Sequence, residues 1–461
     1  MHEGGTRDKL LTLFRDTILP IADAYQATRR HLFWDAQTGC LMVDGCAYPL
    51  HDLHSIYLVG AGKAGVPMAR AVVDVLRQDE RLWSLFAGGS VNVYRGQARE
   101  SVPRVMLYAA DHPSPNEYSV LGARAALDML SRAGKGDLVL AIISGGGSSL
   151  LTLPYEGMTL DDLRAVNRVL VTGGPAIQEI NTVRKHLCRV KGGGLRLAAP
   201  EATFATLILS DVIGDDLSSI ASGPTVPDYT TRADALAVLE SYSLLERIPE
   251  SARARLMNPS PEEERLRTLW EECAARTQTV IVASNAVLLD TLTEQLEHNQ
   301  VFGTGLHIIR ERAPVLGPVQ AVVPEHLRRC EELRQESGVP LMVLFGGEPV
   351  VAVPDGAHGT GGRMLHYSLL AADAIEGTGW SILASGTDGI DGTAPAAGAV
   401  VDGATTRLSR KLGLEPAYFL RHFDSYGFFQ KLEDGTGQHF LNMPGPTGTN
   451  VNDIMLWVHG T

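Results

Sequence analysis

The chain has few cysteines for its length, and none of them are spaced as metal or disulfide pairs. Five cysteines are spread over 461 residues, and no two form a CxxC pair. Zinc knuckles and disulfide-stapled secreted domains both need paired, closely spaced cysteines. The sequence therefore predicts reduced thiols in a cytoplasmic protein.

Long apolar runs and an excess of positive charge are also absent. No stretch of about 18 consecutive apolar residues occurs, so no membrane-spanning helix is expected. The opening residues, MHEGGTRDKL, lack the apolar segment of a secretory signal peptide. A formal net charge of −13 argues against nucleic acid as the main partner, because phosphate-backbone binding requires a basic face. Small molecules are the expected partners, and the oligomeric state is left open.

Glycine, in contrast, is abundant at 48 residues, and the most informative glycines follow a short apolar run. Ser55–Val59 is predicted to be a strand, residues 60–65 (GAGKAG) a loop, and Val66–Leu76 a helix with one apolar face. This order directs backbone N–H groups and the positive end of a helix at an anion. Lys63 adds a full positive charge, which makes Gly60, Gly62 and Lys63 candidate ligand contacts.

A second glycine loop, SGGGSS, follows the most apolar predicted strand, residues 137–143. Three consecutive glycines lose much chain entropy on folding, which favours a loop that a ligand approaches closely over a merely flexible turn. The candidate contacts in this loop are Ser144, Gly145, Gly146, Gly147 and Ser148. His112, in the proline-rich turn DHPSPN, is a further candidate, although a histidine in such a turn is more often structural.

Residues 181–196 form a basic block in an otherwise acidic chain. They include five Lys or Arg residues and no acid. Such a block is either a solvated face or a local positive field, and the two interpretations are equally plausible from the sequence. In the second case Asn181, Arg184 and Lys185 would contact a phosphate or carboxylate.

Carboxylates follow the predicted strand 206–210, in the sequence SDVIGDD. Ligands of α/β sheets bind at the carboxyl ends of strands, and Mg²⁺ commonly takes one or two carboxylates there. Asp211 and Asp215 are therefore candidate metal ligands. The alternative is that Asp215 or Asp216 caps a helix.

The stretch from about 230 to 272 is charged, helical in character and interrupted by prolines, which predicts a boundary between domains 1–245 and 246–461. Short strands followed by glycine-rich loops then recur. The candidate contacts in this half are Glu348, Arg363, Asp388, Thr447 and Asn450.

Two chemistries compete for these residues. Phosphoryl transfer requires mainly positioning and positive charge, which Lys63, Arg363, glycine loops and a Mg²⁺ ion on Asp211 could supply. Hydride transfer is the alternative, because GAGKAG matches the dinucleotide pattern GxGxxG. The next predicted strand, however, ends in Arg95 rather than in the acid that holds the ribose of NAD. A non-catalytic binding protein would not need charged residues in both halves. Phosphoryl transfer is favoured.

Ten motifs, in order along almost the whole chain, resemble those of the class II glycerate kinases. They are GAGKAG, DHPSPN, SGGGSS, EINTVRKHL with KGGGL, LSDVIGDD, SGPTVPD, GGE, GGR, GTDGIDG and GPTGTNVND. The resemblance implies two α/β/α lobes with the active site in the cleft between them. The N-terminal lobe would be Rossmann-like, and the C-terminal one would contain a MOFRL domain at about 340–458.

The resemblance also implies a function: ATP- and Mg²⁺-dependent phosphorylation of the 2-hydroxyl of D-glycerate, giving 2-phosphoglycerate and ADP. The family's lysine and arginine fall on Lys63 and Arg363, which would stabilise the transferring phosphoryl group. Asp211 would act as the base or hold Mg²⁺. Family members have often been labelled hydroxypyruvate reductases, and an NAD(P)H-dependent reductase is the alternative function.

The chain departs from the family directly after GGR. Family members generally continue with Asn-Gln-Glu, and this chain has Met364, Leu365 and His366. Pro349 also follows Glu348 where a hydroxyl residue is usual. If these side chains contact the substrate in the family, this chain should either prefer another 2-hydroxy acid or have impaired activity.

Overall fold

The structure is a computed structural model that describes residues 5–97, 99–258, 262–298, 302, 305–354 and 356–460. The chain forms two compact units. The N-terminal unit runs from Ala24 to Val282, and the C-terminal unit combines the residues up to Asp23 with those from Ala283 onward. No helix in the described ranges has the length and apolarity needed to cross a bilayer.

The strands are numbered in chain order. They are β1 (Leu32–Asp35), β2 (Cys40–Val43), β3 (Cys46–Pro49), β4 (Ile56–Gly62), β5 (Phe86–Tyr94), β6 (Val105–Ala110), β7 (Leu138–Ser144), β8 (Thr203–Leu209), β9 (Thr277–Ala283), β10 (His307–Arg310), β11 (Leu341–Gly347), β12 (Trp380–Gly386), β13 (Gly398–Asp402), β14 (Leu441–Asn442) and β15 (Asp453–His459).

The α-helices are numbered in the same way. They are α1 (Thr6–Leu13), α2 (Leu19–Ala22), α3 (Ala24–His31), α4 (Gly65–Leu76), α5 (Glu80–Leu85), α6 (Glu117–Leu130), α7 (Gly147–Leu150), α8 (Leu160–Gly173), α9 (Ile177–Leu187), α10 (Gly194–Leu197), α11 (Arg232–Ser241), α12 (Glu250–Met257), α13 (Glu262–Ala274), α14 (Asn285–His298), α15 (Val319–Ser337), α16 (Arg363–Ala374), α17 (Thr405–Lys411), α18 (Pro416–Arg421) and α19 (Ser425–Thr436).

The N-terminal unit is built on a six-stranded sheet of order β6-β5-β4-β7-β8-β9. β4 pairs in parallel with β5 on one side and with β7 on the other. Counted from β4, the order is 3-2-1-4-5-6, the order of doubly wound dinucleotide-binding domains. The order reverses between β4 and β7, so the ligand crevice is expected where these two strands end. The predicted Rossmann-like lobe is confirmed.

The predicted apolar strand is β7, and all seven of its residues are buried. A strand buried along its whole length belongs to a sheet covered on both faces. Val139 and Ala141 pack into one core cluster, together with Leu130 of α6 and Leu150 of α7. Burial on this scale holds the end of β7 in place, and the second glycine loop begins there.

The C-terminal unit contains a mixed sheet of order β10-β11-β15-β12-β13-β14. β10 and β11 are parallel, whereas β15 runs antiparallel to both β11 and β12. The last strand of the chain thus lies in the middle of this sheet, and its first residue, Asp453, faces Gly347 and Gly386 across the two pairings. Trp380, Tyr367 and Trp457 fill the core. The α/β class expected for both halves is confirmed.

The two units divide after Val282, further along the chain than the boundary expected at 245/246. The charged stretch belongs to the N-terminal unit because α12 packs on α8, α9 and α11. β9 then adds an edge strand beside β8, and the N–H of Phe204 donates to the carbonyl of Arg276 at 2.8 Å. The charged, proline-containing stretch therefore forms helices of the N-terminal unit. The chain passes into the C-terminal unit only near the end of β9.

The opening of the chain is helical, but residues 6–31 do not form one continuous α-helix. Phe14–Ile18 forms a π-helical turn, and Pro20 is accommodated near the start of α2. The break falls at Asp23, whose backbone is extended (ψ 124°), and the chain changes unit at this residue. Proline is tolerated in the first turn of a helix because no intrahelical N–H bond is needed there.

Candidate active site

The first glycine loop brings β4 close to β7. A Cβ on Gly60 would overlap the carbonyl oxygen of Ile142, and one on Gly62 (φ 148°) would overlap Ser144 Oγ. Both glycines are buried. The structure thus gives Gly60 and Gly62 a packing function between strands, rather than a surface open to a ligand.

Hydrogen bonds tie the two glycine loops together at the point where the strand order reverses. The N–H of Lys63 donates to the Gly145 carbonyl at 2.9 Å, and the N–H of Ala64 donates to Ser144 Oγ at 3.0 Å. Ser144 is buried, so its hydroxyl serves this link. The Lys63 side chain is exposed and makes no ion pair within the described ranges.

Gly146 lies between Lys63 and His112. Its backbone is left-handed (φ 81°), and a Cβ there would lie 3.2 Å from His112 Cδ2 and 3.2 Å from Lys63 Cγ. Partial burial and then the charge of Lys63 lower the pKa of His112. His112 is therefore neutral near pH 7 and can accept or donate one hydrogen bond. The loop thus requires glycine here, and the structure brings Lys63 and His112 together.

Asp211 lies on the other side of the same loop. It follows β8, and a Cβ on Gly145 would overlap its Oδ2 atom. Gly147 is also tightly packed, with a Cβ position 2.5 Å from the Cβ of Ala221. In the second glycine loop, Lys63 and His112 therefore lie against Gly146. The Asp211 carboxylate lies against Gly145, the residue before it.

A polar network continues from Ser148. Its hydroxyl lies 2.8 Å from that of Ser222, which donates to Asn181 Oδ1 at 3.0 Å. Arg184 donates to Asn181 Oδ1 (3.4 Å) and to Asn167 Oδ1 (2.7 Å). All of these partners are neutral, and burial lowers the pKa of Arg184. A cation desolvated beside amide and hydroxyl groups favours an anionic ligand.

Ser222 is a residue that sequence reasoning placed in a fixed turn only. Ser222 (φ 61°) and Ala221 (φ 52°) both have left-handed backbones. Such conformations are costly for residues with a Cβ and cluster at functional sites. The motif SGPT was the available signal, but a sequence does not reveal which hydroxyl a strained turn presents.

Two lysines of the basic block, Lys185 and Lys191, are engaged in structural contacts. Lys185 pairs with Asp228 (Nζ–Oδ1 3.4 Å), and both side chains are buried. Lys191 Nζ donates to the carbonyls of Ser148 (2.6 Å) and Leu151 (3.0 Å). Within this block, the side chains of Asn181 and Arg184 join the hydroxyl and amide network at the glycine loop, and Lys191 reaches the loop through the Ser148 carbonyl. Lys185 instead pairs with Asp228 in the protein interior, so it lies neither on a solvated face nor free to contact a phosphate or carboxylate.

The two candidate metal ligands occupy different positions. Asp211 lies against the second glycine loop, whereas Asp215 (φ 55°) lies within a turn closed by its N–H and the Val212 carbonyl (3.1 Å). Asp216 accepts from the N–H of Ser218 (3.1 Å) and from Ser219 Oγ (2.6 Å) within a turn, and the short helix that follows has no side-chain cap from a described residue, so the capping alternative is not seen there. Within the part of the chain that the structure describes, no group of three His, Cys, Asp or Glu residues could hold a metal ion. A cation at Asp211 would need ligand oxygens to complete its coordination.

In the C-terminal unit, Arg363 begins α16 and is held by two acids. Its Nε donates to Asp453 Oδ2 at 2.5 Å, and its Nη1 donates to Glu348 Oε1 at 2.9 Å. Asn452 Nδ2 in turn donates to Glu348 Oε2 at 3.4 Å. Burial raises the pKa of Asp453 to about 7, although the Arg363 charge opposes the shift. Asp453 was absent from the expected site residues, and the ending of GPTGTNVND was its only signal.

The other C-terminal candidates support the backbone around this arginine. Thr447 Oγ1 donates to the Thr387 carbonyl (2.6 Å), and Asn450 Oδ1 accepts the N–H of Asn452 (2.9 Å). A Cβ on Gly386 would lie 3.1 Å from Asp388 Oδ1 and 3.2 Å from Asp453 Oδ1. Asp388 thus converges with Asp453, whereas Thr447 and Asn450 fix the turns.

The departure after GGR falls in the protein core. Met364 and Leu365 are fully buried in the hydrophobic cluster of the C-terminal unit. His366 stacks on Phe423 (ring centroids 5.4 Å apart) and lies 3.3 Å from Ser425 Oγ through Nδ1. These side chains pack α16 against its neighbours, which removes the reason for expecting them to alter substrate choice.

Sequence and structure comparisons agree on the family. A family model described as a domain of unknown function (DUF4147) matches residues 9–257, and the MOFRL family model matches residues 341–453. The chain is 36% identical to a glycerate 2-kinase of Pyrococcus horikoshii, covering 87% of this chain and 86% of that one. It is 40% identical to an Agrobacterium vitis protein provisionally named hydroxypyruvate reductase, covering 86% and 85% of the two chains.

The crystal structure of glycerate kinase from Thermotoga maritima superposes with a TM-score of 0.82 at 30% identity, covering 98% of this chain and 99% of that one. Relatives that share this fold along nearly the whole chain are named glycerate kinases, which are enzymes of the phosphotransferase class. The chain belongs to the glycerate kinase family whose members combine DUF4147 and MOFRL domains.

Proposed function

We propose that this chain acts in the cytoplasm and transfers the terminal phosphoryl group of ATP, with Mg²⁺, to the 2-hydroxyl of D-glycerate or a related 2-hydroxy acid. The products would be 2-phosphoglycerate and ADP. The observation that carries the proposal is the arrangement around Gly145 and Gly146, where Lys63, His112 and Asp211 meet at the end of β7. The names of the relatives supply the substrate.

The groups around the glycine loop suit phosphoryl transfer. The reaction needs positive charge at the transferring group and a base or cation near the attacking hydroxyl. The Lys63 ammonium would stabilise the phosphoryl oxygens, and the Asp211 carboxylate would accept the proton of the 2-hydroxyl or bind Mg²⁺. A neutral His112 would orient the substrate. Ser148, Asn181 and Arg184 would bind the substrate carboxylate or a phosphate.

Mg²⁺ would neutralise charge on the ATP phosphates when bound. It takes oxygen ligands and usually combines one or two carboxylates with phosphates and waters. Asp211 fits this donor set, because its carboxylate lies at the glycine loop where phosphates would bind. Asp215, in its separate turn, is the less direct ligand.

Arg363 is proposed as the second cation of the active site. This role requires Arg363 and Lys63 to contact the same phosphoryl group during transfer. Water must be kept from that group, because it would otherwise compete with the 2-hydroxyl as acceptor.

A coupled assay of ADP release tests the proposal. D-Glycerate, tartronate and larger 2-hydroxy acids should be compared as acceptors, and phosphorus NMR should show that the product is phosphorylated at the 2-position. Absence of turnover with every acceptor would contradict the proposal, and phosphorylation at the 3-position would contradict its regiochemistry.

Reduction of hydroxypyruvate is the second candidate, because the strand order and the GxGxxG loop are those of dinucleotide-binding domains. Gly60 and Gly62, however, pack against β7 rather than facing a crevice. Oxidation of NADH or NADPH by hydroxypyruvate, followed spectrophotometrically without ATP, decides between the two functions. Steady oxidation would favour the reductase.

A further inference from the structure

A cavity of about 490 Å³ lies within the N-terminal unit, beside the triglycine loop 192–194. It is bounded by the end of α9, by residues 227–230 and by α13. Lys63 and Asp211 are not among its described lining residues. Its volume is in the range of small-molecule sites, and the functions assigned above do not use it.

The lining of this cavity is positive. Its charged residues are Lys185, Arg189, Lys191 and Arg267 against Asp228 and Glu271. Lys185 is neutralised by Asp228 at 3.4 Å. Arg189 and Arg267 are exposed and make no ion pair with another described residue. The chain as a whole has a net charge of −13, so two guanidinium groups without an ion pair among the described residues, at one cavity, favour an anionic ligand.

One wall offers a flat aromatic surface. Trp270 is half-buried, and a Cβ on Gly193 would lie 3.3 Å from its Cε3 and Cζ3 atoms. The triglycine backbone therefore packs against the indole and holds it in place. In the described part of the chain, no other ring or cation stacks on this indole. Fixed aromatic rings of this kind stack on nucleobases.

Short hydrogen-bonded links connect the cavity to the second glycine loop. Lys191, which lines the cavity, donates to the carbonyl of Ser148 at 2.6 Å. At the cavity edge, the N–H of Gly192 donates to the Ser222 carbonyl at 3.0 Å, and the Ser222 hydroxyl lies 2.8 Å from that of Ser148. Lining residues of the cavity thus contact the loop at which the phosphates are proposed to bind, directly through Lys191 and by way of Ser222 from Gly192.

We propose that this cavity binds the base and ribose of the nucleotide that donates the phosphoryl group. Trp270 stacks on the base, and Arg189 and Arg267 supply positive charge to the phosphates as they extend toward Ser148. This inference rests on the proposed kinase function and adds to it a nucleotide site apart from Lys63.

Substitution of Trp270 tests the stacking. Trp270→Ala should raise the Kd of ADP, measured by titration calorimetry on the intact protein, and the KM of ATP by roughly tenfold. The KM of the hydroxy acid should stay the same, and Trp270→Phe should restore most of the affinity because a flat ring remains. A KM for ATP that is unchanged in a folded Trp270→Ala variant would overturn the inference.

A matched pair on α13 tests the charge without disturbing the core. Arg267 lines the cavity, whereas Arg265, two residues earlier, does not, and both side chains are exposed. Arg267→Ala should weaken ADP binding several-fold, and Arg265→Ala should leave it unchanged. Equal effects of the two substitutions would contradict a site at the cavity. This pair decides the question if Trp270→Ala does not fold.

Two probes separate this inference from the proposed function. Inorganic tripolyphosphate carries the charge without the ring, so Trp270→Ala should weaken ADP binding more than tripolyphosphate binding. A wild-type enzyme that phosphorylates D-glycerate while ADP binding ignores Trp270 and Arg267 overturns the inference alone. Binding of ADP that depends on Trp270 but does not compete with ATP would mark a regulatory site and overturn the donor assignment.

Discussion

The two proposed catalytic cations are held in opposite ways. Lys63 is exposed beside a glycine loop and makes no ion pair among the described residues, whereas Arg363 is clamped by Asp453 and Glu348. A flexible ammonium without an acid partner is free to meet an incoming anion. A guanidinium between two carboxylates has its geometry fixed in advance, and its charge is already partly neutralised. In the proposed reaction, Lys63 would mainly supply charge, and Arg363 would mainly supply a fixed position.

Removing either cation should have the largest effect. We expect Lys63→Ala and Arg363→Ala each to lower kcat for D-glycerate phosphorylation by about 10²-fold or more, because each removes a group that is proposed to contact the phosphoryl group in the transition state. The coupled ADP assay measures this. Lys135→Ala, which removes an exposed lysine elsewhere in the same unit, is the control. Normal turnover in both variants would remove these residues from the chemistry.

The same two variants should differ in stability. Arg363→Ala leaves Asp453 and Glu348 without their shared partner, so it should lower the free energy of unfolding by about 1–2 kcal/mol. This loss is smaller than the roughly 3–5 kcal/mol expected for breaking a fully buried ion pair, because the Arg363 side chain is 31% exposed and Asp453 can take up a proton. Lys63→Ala removes no ion pair and should leave stability unchanged. Chemical denaturation compares them, and equal losses would contradict the distinction between the two sites.

The glycine loop can be disturbed without removing a charge. Gly146→Ala would place a Cβ 3.2 Å from both His112 and Lys63, in a left-handed backbone (φ 81°). We expect a loss of kcat of roughly tenfold, about 1.4 kcal/mol of transition-state stabilisation. Gly157→Ala is the matched control, since Gly157 has φ 84° with no neighbour within 4 Å. Backbone strain alone should destabilise both variants similarly, and a similar loss of activity in both would show that crowding is unimportant.

The positions of these residues follow from the sequence to different extents. Strand, glycine loop and helix around Lys63 were predictable because they are local, although β4 continues to Gly62, three residues into the expected loop, and α4 begins at Gly65. The contact between Asp211 and Gly145 was not, because it depends on the pairing of β7 with β8, which are far apart in the chain.

The pattern of charged residues in the sequence was the weakest predictor of which residues lie at the candidate site. Lys185 and Lys191 stood out in the sequence with Arg184, yet Lys185 pairs with Asp228 and Lys191 donates to backbone carbonyls. Asp453 became visible only when β15 was placed between β11 and β12, which puts its carboxylate beside Arg363. Which charges are paired is a tertiary property that a charge pattern does not specify.

The buried carboxyl of Asp453, which pairs with Arg363, should make the stability of the protein depend on pH. Burial raises the pKa of Asp453 to about 7. Between about pH 4 and this value the folded protein holds a proton that the unfolded chain releases, so this group makes stability fall as pH rises through the window. Asp453→Asn, which cannot titrate, should show a flatter dependence of Tm on pH between pH 5 and 8. Asp128→Asn, at an exposed position, should follow the wild type.

The smallest effect is expected one turn along α16 from Arg363. His366 is 4% exposed, stacks on Phe423 and lies 3.3 Å from Ser425 Oγ, so it contacts the protein core and not the surface that Arg363 presents. His366→Asn should lower Tm by a few degrees through lost packing. The KM for D-glycerate and the preference over tartronate should stay within about twofold, equivalent to less than 0.5 kcal/mol. A tenfold change in that preference would show that the residues that replace Asn-Gln-Glu influence substrate binding. It would also show that α16 affects how the substrate is positioned, in addition to supplying the charge of Arg363.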